Sequence, residues 1–330
     1  MTDNWLAYTG SGERPGTAVS RNLPPAPPWR VRKGTEAGAT PDRGLTYQVE
    51  GAEADRVNAA LYLRRPLLVT GGPGTGKSSL AHSVAAELGL GPALRWPINS
   101  KTTLRDGLYQ YDAIGRLQEA NLREIEARAG HGPAGPVDIG SYIRLGPLGT
   151  ALLPADRPRV LLVDELDKSD IDLPNDLLDV FEEGEFEIPE LSRLPTGHGP
   201  VTVMTAAEDG STAKIDGGRV RCHEFPLVII TSNGEREFPA AFMRRCLRLN
   251  LAPANEARLA RIVEAHLGRG VSDRYLDVIK EFLSRRDQRE LATDQLLNAI
   301  FLAFSGLRPA DETPAQLADA LMPYLDRPTE

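Results

Sequence analysis

Cysteine is nearly absent. Cys222 and Cys246 are the only two in 330 residues, and neither stands in a metal-ligand spacing or has a histidine patterned around it. A disulfide framework and a zinc module are therefore excluded, leaving two reduced thiols. Long apolar runs are missing too. The longest, Ala299–Phe304, falls far short of the roughly 20 residues of a membrane helix. Near the N-terminus, Asp3, Glu13 and several prolines stand where a secretory signal needs an apolar core, so a cytoplasmic location is expected. Nor is there an excess of positive charge. Lys and Arg number 38 against 46 Asp and Glu, a net −8, which argues against sequence-independent nucleic-acid binding. No internal repeat is visible.

The composition that remains, 41% hydrophobic and 25% charged, is that of an ordinary globular chain. Its length suits a main domain with a smaller companion. Residues 1–45 are rich in Gly, Pro, Ser, Thr and Arg, with an extended stretch Asn22-Leu-Pro-Pro-Ala-Pro-Pro-Trp29. They read as a flexible leader; Trp5 and Trp29, unusual in a purely solvated tail, offer the alternative of a docking arm. Helical pattern begins near Gly51 and leads to a strand at Leu67–Thr70. A helix is expected over Ser79–Leu88, a strand over Leu94–Asn99, and mostly helix from Thr103 to Arg128, before a Gly/Pro break at His131–Pro136. Val160–Val163 is apolar at every position and Leu227–Thr231 at all but its last, as in strands covered on both faces. Pro174–Glu183 reads as a helix bounded by Pro and Gly184. Residues 185–225 read as strands and turns, and everything after Pro253 as helix. Strands alternating with helices give an α/β fold, a parallel sheet sandwiched by helices, followed by a C-terminal helical lid. The expected domains are the leader 1–45, an α/β core 46–252 with an insert at 191–226, and a lid 253–330.

The chemistry is concentrated in four places. The first is Gly71-Gly72-Pro73-Gly74-Thr75-Gly76-Lys77-Ser78, with Ser79 next, set between a strand and a helix. This is the phosphate-binding G-x-x-x-x-G-K-S pattern in its required context. The glycines let backbone N–H groups turn inward around a phosphate, and the helix that follows presents its positive N-terminus. Lys77 is expected on the β- and γ-phosphates, and the Ser78 hydroxyl on Mg²⁺. The second is Asp164-Glu165, ending a buried strand: Asp164 is expected to hold Mg²⁺ through water, and Glu165 to act as general base on the attacking water. The third is Asn233, at the end of Leu227–Ser232, placed to orient that water or touch the γ-phosphate; a turn-forming Asn before Gly234 is the plainer alternative. The fourth is Arg244-Arg245. An arginine that neutralises the transition state accelerates hydrolytic phosphoryl transfer by about 10³–10⁵, and in a ring it comes from the neighbouring subunit.

These elements, in this order, resemble AAA+ ATPases, and in particular the MoxR-like group. That group's segment Asp-Glu-Ile-Asn-Arg/Lys-Ala, a helix, then Glu-Gly-Gln-Val-Thr-Ile is similar to Asp164-Glu-Leu-Asp-Lys168, the helix Pro174–Glu183, and Glu183-Gly-Glu-Phe-Glu-Ile188. Gly146-Pro147-Leu148 and Val228-Ile-Ile-Thr-Ser-Asn233 match further family segments. The finger segment Pro-Glu-Ala-x-x-Asp-Arg-Phe aligns with Pro239-Ala-Ala-Phe-Met-Arg-Arg245-Cys, which puts Arg245 at the finger and Arg244 in place of an acid. The resemblance covers about residues 50–305. Three departures stand out. Residues 191–226 exceed the usual hairpin and read as a specialised loop for a partner or the ring pore. Arg289-Glu-Leu-Ala-Thr-Asp294-Gln-Leu-Leu replaces the usual second-sensor pair, with Arg289 either reaching nucleotide or lying on the surface. Asn99 takes the position of the polar residue that gates the catalytic glutamate.

The resemblance implies a homo-oligomer, a hexameric ring, that uses ATP and Mg²⁺ to remodel or activate a protein partner. That partner often carries a von Willebrand factor A domain, and bacterial conflict systems are among the settings. Asp209-Gly-Ser211-Thr-Ala213 falls one serine short of that domain's metal motif, so the domain would sit on another polypeptide. Two other readings stand beside this one. A nucleic-acid motor or restriction-type NTPase would use Arg244-Arg245 and Arg285-Arg286 to line a channel. A nucleotide-gated scaffold would bind ATP with little turnover.

Overall fold

Strands that are apolar at every position must be covered on both sides, whereas strands that alternate have one face in solvent. Both kinds occur here. The computed structural model describes residues 26–30, 44, 46–129, 138–195, 197–286 and 291–305. Trp5, the rest of the leader to residue 25, the His131–Pro136 break and Arg289 lie outside the described residues. The chain runs through α1 (Gly51–Leu63), β1 (Leu67–Thr70), α2 (Lys77–Glu87), β2 (Leu94–Pro97), α3 (Leu104–Leu108), β3 (Tyr109–Tyr111), α4 (Ala113–Arg128), β4 (Ile143–Leu145), α5 (Pro147–Ala151) and β5 (Val160–Asp164). It continues through α6 (Leu173–Glu183), β6 (Glu185–Glu187), α7 (Pro189–Ser192), β7 (Val201–Met204), β8 (Thr212–Ile215), β9 (Arg219–Arg221), β10 (Leu227–Ser232), α8 (Ala240–Arg245) and β11 (Leu247–Asn250). Four helices follow: α9 (Glu256–Leu267), α10 (Val271–Arg274), α11 (Leu276–Arg286) and α12 (Thr293–Phe304).

The described chain divides into two compact units. The first, Gly51–Thr70 with Val84–Asn250, is built on a five-stranded parallel sheet in the order β11-β1-β10-β5-β2. β5 and β10 are central and buried at every residue, while the edge strand β2 alternates buried and exposed. Helices flank the sheet: α1 packs on β1 and β11, and α5 on β2 and β5. Leu161, Leu162, Val163, Ile229 and Ile230 are wholly buried, each stabilising the fold by about 1.5–3 kcal/mol. The carboxyl ends of β1, β5 and β10 lie at one edge of this sheet, the usual edge for a ligand in a parallel α/β fold. The expected α/β architecture is thus the one found.

One local expectation changes. Thr103–Arg128 is not one helical stretch. Thr103 and Asp106 form a capping box for the short α3, Tyr109–Tyr111 then pairs antiparallel with β4, and Asp112 caps a new helix through the Gly115 N–H. The Tyr-Gln-Tyr run favours strand, and a partner strand is available to it. The strands and turns expected over residues 185–225 are found, and the 191–226 insert carries three of the strands. β7 and β8 extend a second sheet, β3-β4-β7-β8, and β9 pairs with β6. Lastly, β11 follows directly on α8 and pairs with β1, although Leu-Arg-Leu-Asn is too short to announce itself.

The second unit holds the described residues up to Glu50, the segment Gly71–Ser83 and the chain from Leu251. Its core is formed by Leu259, Val263, Ile279, Phe282, Leu296 and Ile300, all nearly or fully buried. Asn255 opens α9 by accepting from the Arg258 N–H at 2.8 Å. Trp29, in a short 3-10 turn at Pro28–Arg30, packs against this core rather than trailing in solvent. Its ring meets His266 and Phe301 edge-on, each at 5.7 Å between centroids. Among the described residues no helix is long and apolar enough to cross a membrane.

Two outcomes test this packing. Gly149 lies where a Cβ would overlap the carbonyl oxygen of Leu108 and sit 3.1 Å from the Phe186 ring, whereas Gly51 has open space around it. Gly149→Ala should lower unfolding free energy by about 1–3 kcal/mol in denaturant titration, and Gly51→Ala should leave it within about 0.5 kcal/mol. Burial holds the His266 imidazole below its ordinary pKa of 6.5. The unfolded state then binds the proton more readily, so the stabilisation is complete above 6.5 and is lost as pH falls through the lower folded value. The difference in thermal midpoint between wild type and His266→Phe should therefore move against wild type between about pH 7.5 and about pH 5.

Candidate functional site

The phosphate loop leaves β1 at Gly71 and enters α2 at Lys77. Two of its glycines are required twice over. Gly74 has φ +71°, and a Cβ there would stand 2.6 Å from the Ala292 Cβ. Gly76 has φ +92°, and a Cβ would stand 2.9 Å from the Tyr47 ring. Thr75 Oγ1 donates to the Gly72 carbonyl at 2.9 Å, closing the loop on itself. Lys77 is buried, and its ammonium curls back to donate to the Gly71 and Gly72 carbonyls at 2.7 and 2.8 Å. Its charge is thereby held against the loop backbone at the positive end of α2, where both favour a phosphate. Pro73 is exposed, and Ser78 and Ser79 are half-buried on the first turn of the helix.

In the same unit the loop borders a cavity of 560 Å³, within the range of small-ligand sites. Gly74, Thr75, Gly76 and Ser79 line one part of it. Tyr47, Arg258, His266, Asp294 and Trp29 are among the residues lining the rest. Arg258 is buried at 3% exposure, donates to the Tyr47 hydroxyl at 3.2 Å, lies 5.6 Å over the Tyr47 ring and pairs with Glu50 at 3.8 Å.

In the sheet unit the acidic pair closes β5. Asp164 is buried. Its Oδ2 accepts from Arg95 Nε at 2.9 Å and Nη2 at 2.6 Å, and its Oδ1 accepts from the Thr231 hydroxyl at 2.9 Å. That hydroxyl accepts in turn from the Glu165 N–H at 2.8 Å, so one side chain of β10 fixes both acids. Glu165 adopts a left-handed conformation, φ 63° and ψ 51°, rare for a side chain of this kind and costing about 1–3 kcal/mol. Its carboxylate accepts from Lys168 at 2.9 Å, a bond that raises the Lys168 pKa.

Asn233 follows β10 in a turn that Asp167 holds. The buried Asp167 Oδ2 accepts from the Asn233 N–H at 2.9 Å and the Glu235 N–H at 3.1 Å, while its Oδ1 has no hydrogen-bond partner. Arg245, at the end of α8, donates to Glu182 on α6, and Arg244 is exposed. Asn99 lies beyond the end of β2, in a turn where its side chain accepts from the Lys101 N–H at 2.9 Å. The structure thus brings Asp164, Glu165 and the Asn233 turn to one sheet edge. It adds Arg95, Thr231 and Asp167, to which sequence reasoning gave no role. Asp167 was readable from its place in Asp164-Glu-Leu-Asp-Lys168; the pairing of Arg95 needs the β2–β5 register.

No group of three or more His, Cys, Asp or Glu among the described residues is arranged to hold a metal.

A family model described as AAA domain (dynein-related subfamily) matches residues 66–245, more than half of the chain. Among solved structures, C. elegans PCH-2 is similar at 12% sequence identity over 84% of this chain and 68% of that chain. Its TM-score of 0.37 is too low to speak for the fold. No curated protein matches the chain.

The Asp167 bonds carry a direct test. Hydrogen bonds to a charged acceptor are worth about 1.5–3 kcal/mol, so Asp167→Ala should raise amide exchange at Asn233 and Glu235 by about tenfold or more. Unchanged protection would mean the turn is held by something else.

Proposed function

This chain belongs to the AAA domain family, dynein-related subfamily, and from that premise we propose that it hydrolyses ATP with Mg²⁺ in an oligomeric ring and thereby remodels or activates a protein partner. The observation that carries this reading is the clasp at the end of β5. The Thr231 hydroxyl ties Asp164 to the backbone of Glu165, which keeps a metal-binding carboxylate and a general base in consecutive positions.

In this reading residues 46–252 form the nucleotide-binding core and 253–330 the lid. The loop N–H groups and Lys77 hold the phosphates. The Ser78 hydroxyl would supply a hard oxygen ligand for magnesium and Asp164 would hold the ion through water; bound there, it would neutralise charge on the phosphates. Both Asp164 oxygens already accept hydrogen bonds, which suits contact through a metal-bound water. Glu165 takes a proton from the attacking water as the new O–P bond forms and the bridging P–O bond to the β-phosphate breaks, leaving ADP and phosphate. Asn233 orients the water. Arg245 stabilises the transition state in a neighbouring subunit. Both Glu165 and Arg245 are engaged within the chain, to Lys168 and Glu182, and all four side chains are 41–52% exposed. Pairs that exposed are worth about 0–1 kcal/mol, so assembly readily redirects them. The MoxR resemblance makes a von Willebrand factor A domain protein the client type, and a bacterial conflict system a fitting setting.

Turnover per subunit measured against protein concentration tests the proposal. A steep rise is expected, because the finger acts between subunits. Arg245→Ala should abolish turnover and keep binding, and mixing it with Glu165→Gln should restore part of it. Wild-type turnover by Glu165→Gln would overturn the base assignment. ATP binding with no hydrolysis at any concentration, client present, would favour the nucleotide-gated scaffold.

A further inference from the structure

The phosphate loop explains how the chain grips phosphates. It does not explain what grips the rest of a nucleotide. A base and ribose need a flat apolar or aromatic surface and a few fixed polar groups. The 560 Å³ cavity beside the loop has both. Its polar floor is rigid, because Arg258 is buried and held to Tyr47 and Glu50. Its Asp294 lies in the first turn of α12 and presents an exposed carboxylate suited to hydroxyl donors. One aromatic wall comes from an unexpected source. Trp29 belongs to an N-terminal turn, Pro28–Arg30, far outside the matched residues 66–245, and yet it lines this cavity. His266 and Phe301 hold its ring edge-on, and the turn closes by the Arg30 N–H donating to the Pro27 carbonyl at 2.8 Å.

We infer that Trp29 is an affinity-determining wall of a nucleoside site, so that docking of the segment 26–30 and binding of the base end of a nucleotide reinforce each other. This rests on the nucleotide reading above and extends it to the end of the ligand that the loop does not touch. Coupling of this kind is reciprocal: what the docked segment adds to nucleotide affinity, nucleotide adds to the docking of the segment.

The test compares MgADP with magnesium pyrophosphate, which share a diphosphate and differ by the nucleoside, using calorimetry on the full chain. Trp29→Ala should weaken ADP by about tenfold and leave pyrophosphate unchanged. Trp29→Phe should recover most of the loss, and Lys77→Ala should weaken both ligands. In the wild type, ADP but not pyrophosphate should slow exchange of the Arg30 amide. Equal loss of both ligands in Trp29→Ala, or no loss of either, would overturn the inference while leaving the phosphate loop in place. Failure of the wild type to bind either ligand would instead remove the nucleotide reading itself.

Discussion

The carboxyl edge of the sheet, where Asp164 and Glu165 stand, depends on one buried hydroxyl. Thr231 Oγ1 donates to Asp164 and accepts from the backbone of Glu165, and it can do both only because β5 and β10 run parallel with Val163 opposite Ile230. A slip of one residue would turn Thr231 to the other face and separate it from both acids. The ladder that sets Leu227 opposite Val160 and Ile230 opposite Val163 holds that register between two strands buried at every position, Val160–Asp164 and Leu227–Ser232. Core packing and site geometry are therefore a single constraint. The wholly buried valines, leucines and isoleucines that stabilise the sheet also fix where Asp164 and the backbone of Glu165 stand.

The charges at that edge are held by neighbours of unequal strength. Asp164 is buried, and two nitrogens of one guanidinium meet its Oδ2, so removing Arg95 would leave a buried carboxylate undercompensated. Glu165 and Arg245 are different. Each is paired at the surface, where screening and side-chain entropy cancel most of the attraction. Under the proposed mechanism the groups that must move are the weakly held ones, and the group that must stay is the strongly held one. Asp167 belongs with the fixed set. It fastens the Asn233 turn to the segment that follows the acidic pair, which couples the positions of the two.

Much of this was legible in the sequence. The phosphate loop, the acidic pair and the two central strands are each specified by adjacent residues, through glycine spacing, unbroken apolar runs and a polar stop. What was not legible depends on partners distant in the chain. Tyr109–Tyr111 becomes a strand because Ile143–Leu145 lies beside it, and the helical pattern around it gave no sign of that. Leu247–Asn250 is an edge strand of four residues whose alternation is too brief to read alone. Arg95 looks like the solvent-facing residue of an alternating strand, which it is. Its bond to Asp164 follows only from β2 lying next to β5. Trp29 was recognisable as out of place in a Pro-rich leader, but its seat between His266 and Phe301 required the folded helices.

The loop glycines show how far one constraint reaches. Positive φ alone would have allowed an asparagine at Gly74 or Gly76 at moderate cost. Close approach does not. Ala292, just before α12, stands against Gly74, and Tyr47 stands against Gly76, each where any Cβ would collide. Residues from opposite ends of the chain thus touch the phosphate loop at the positions where it has no side chain. The same unit carries the cavity, Arg258 and the Trp29 turn. Side chains on both flanks of the loop therefore limit what its backbone positions can carry, and the loop sequence and the packing of the helical residues are one constraint.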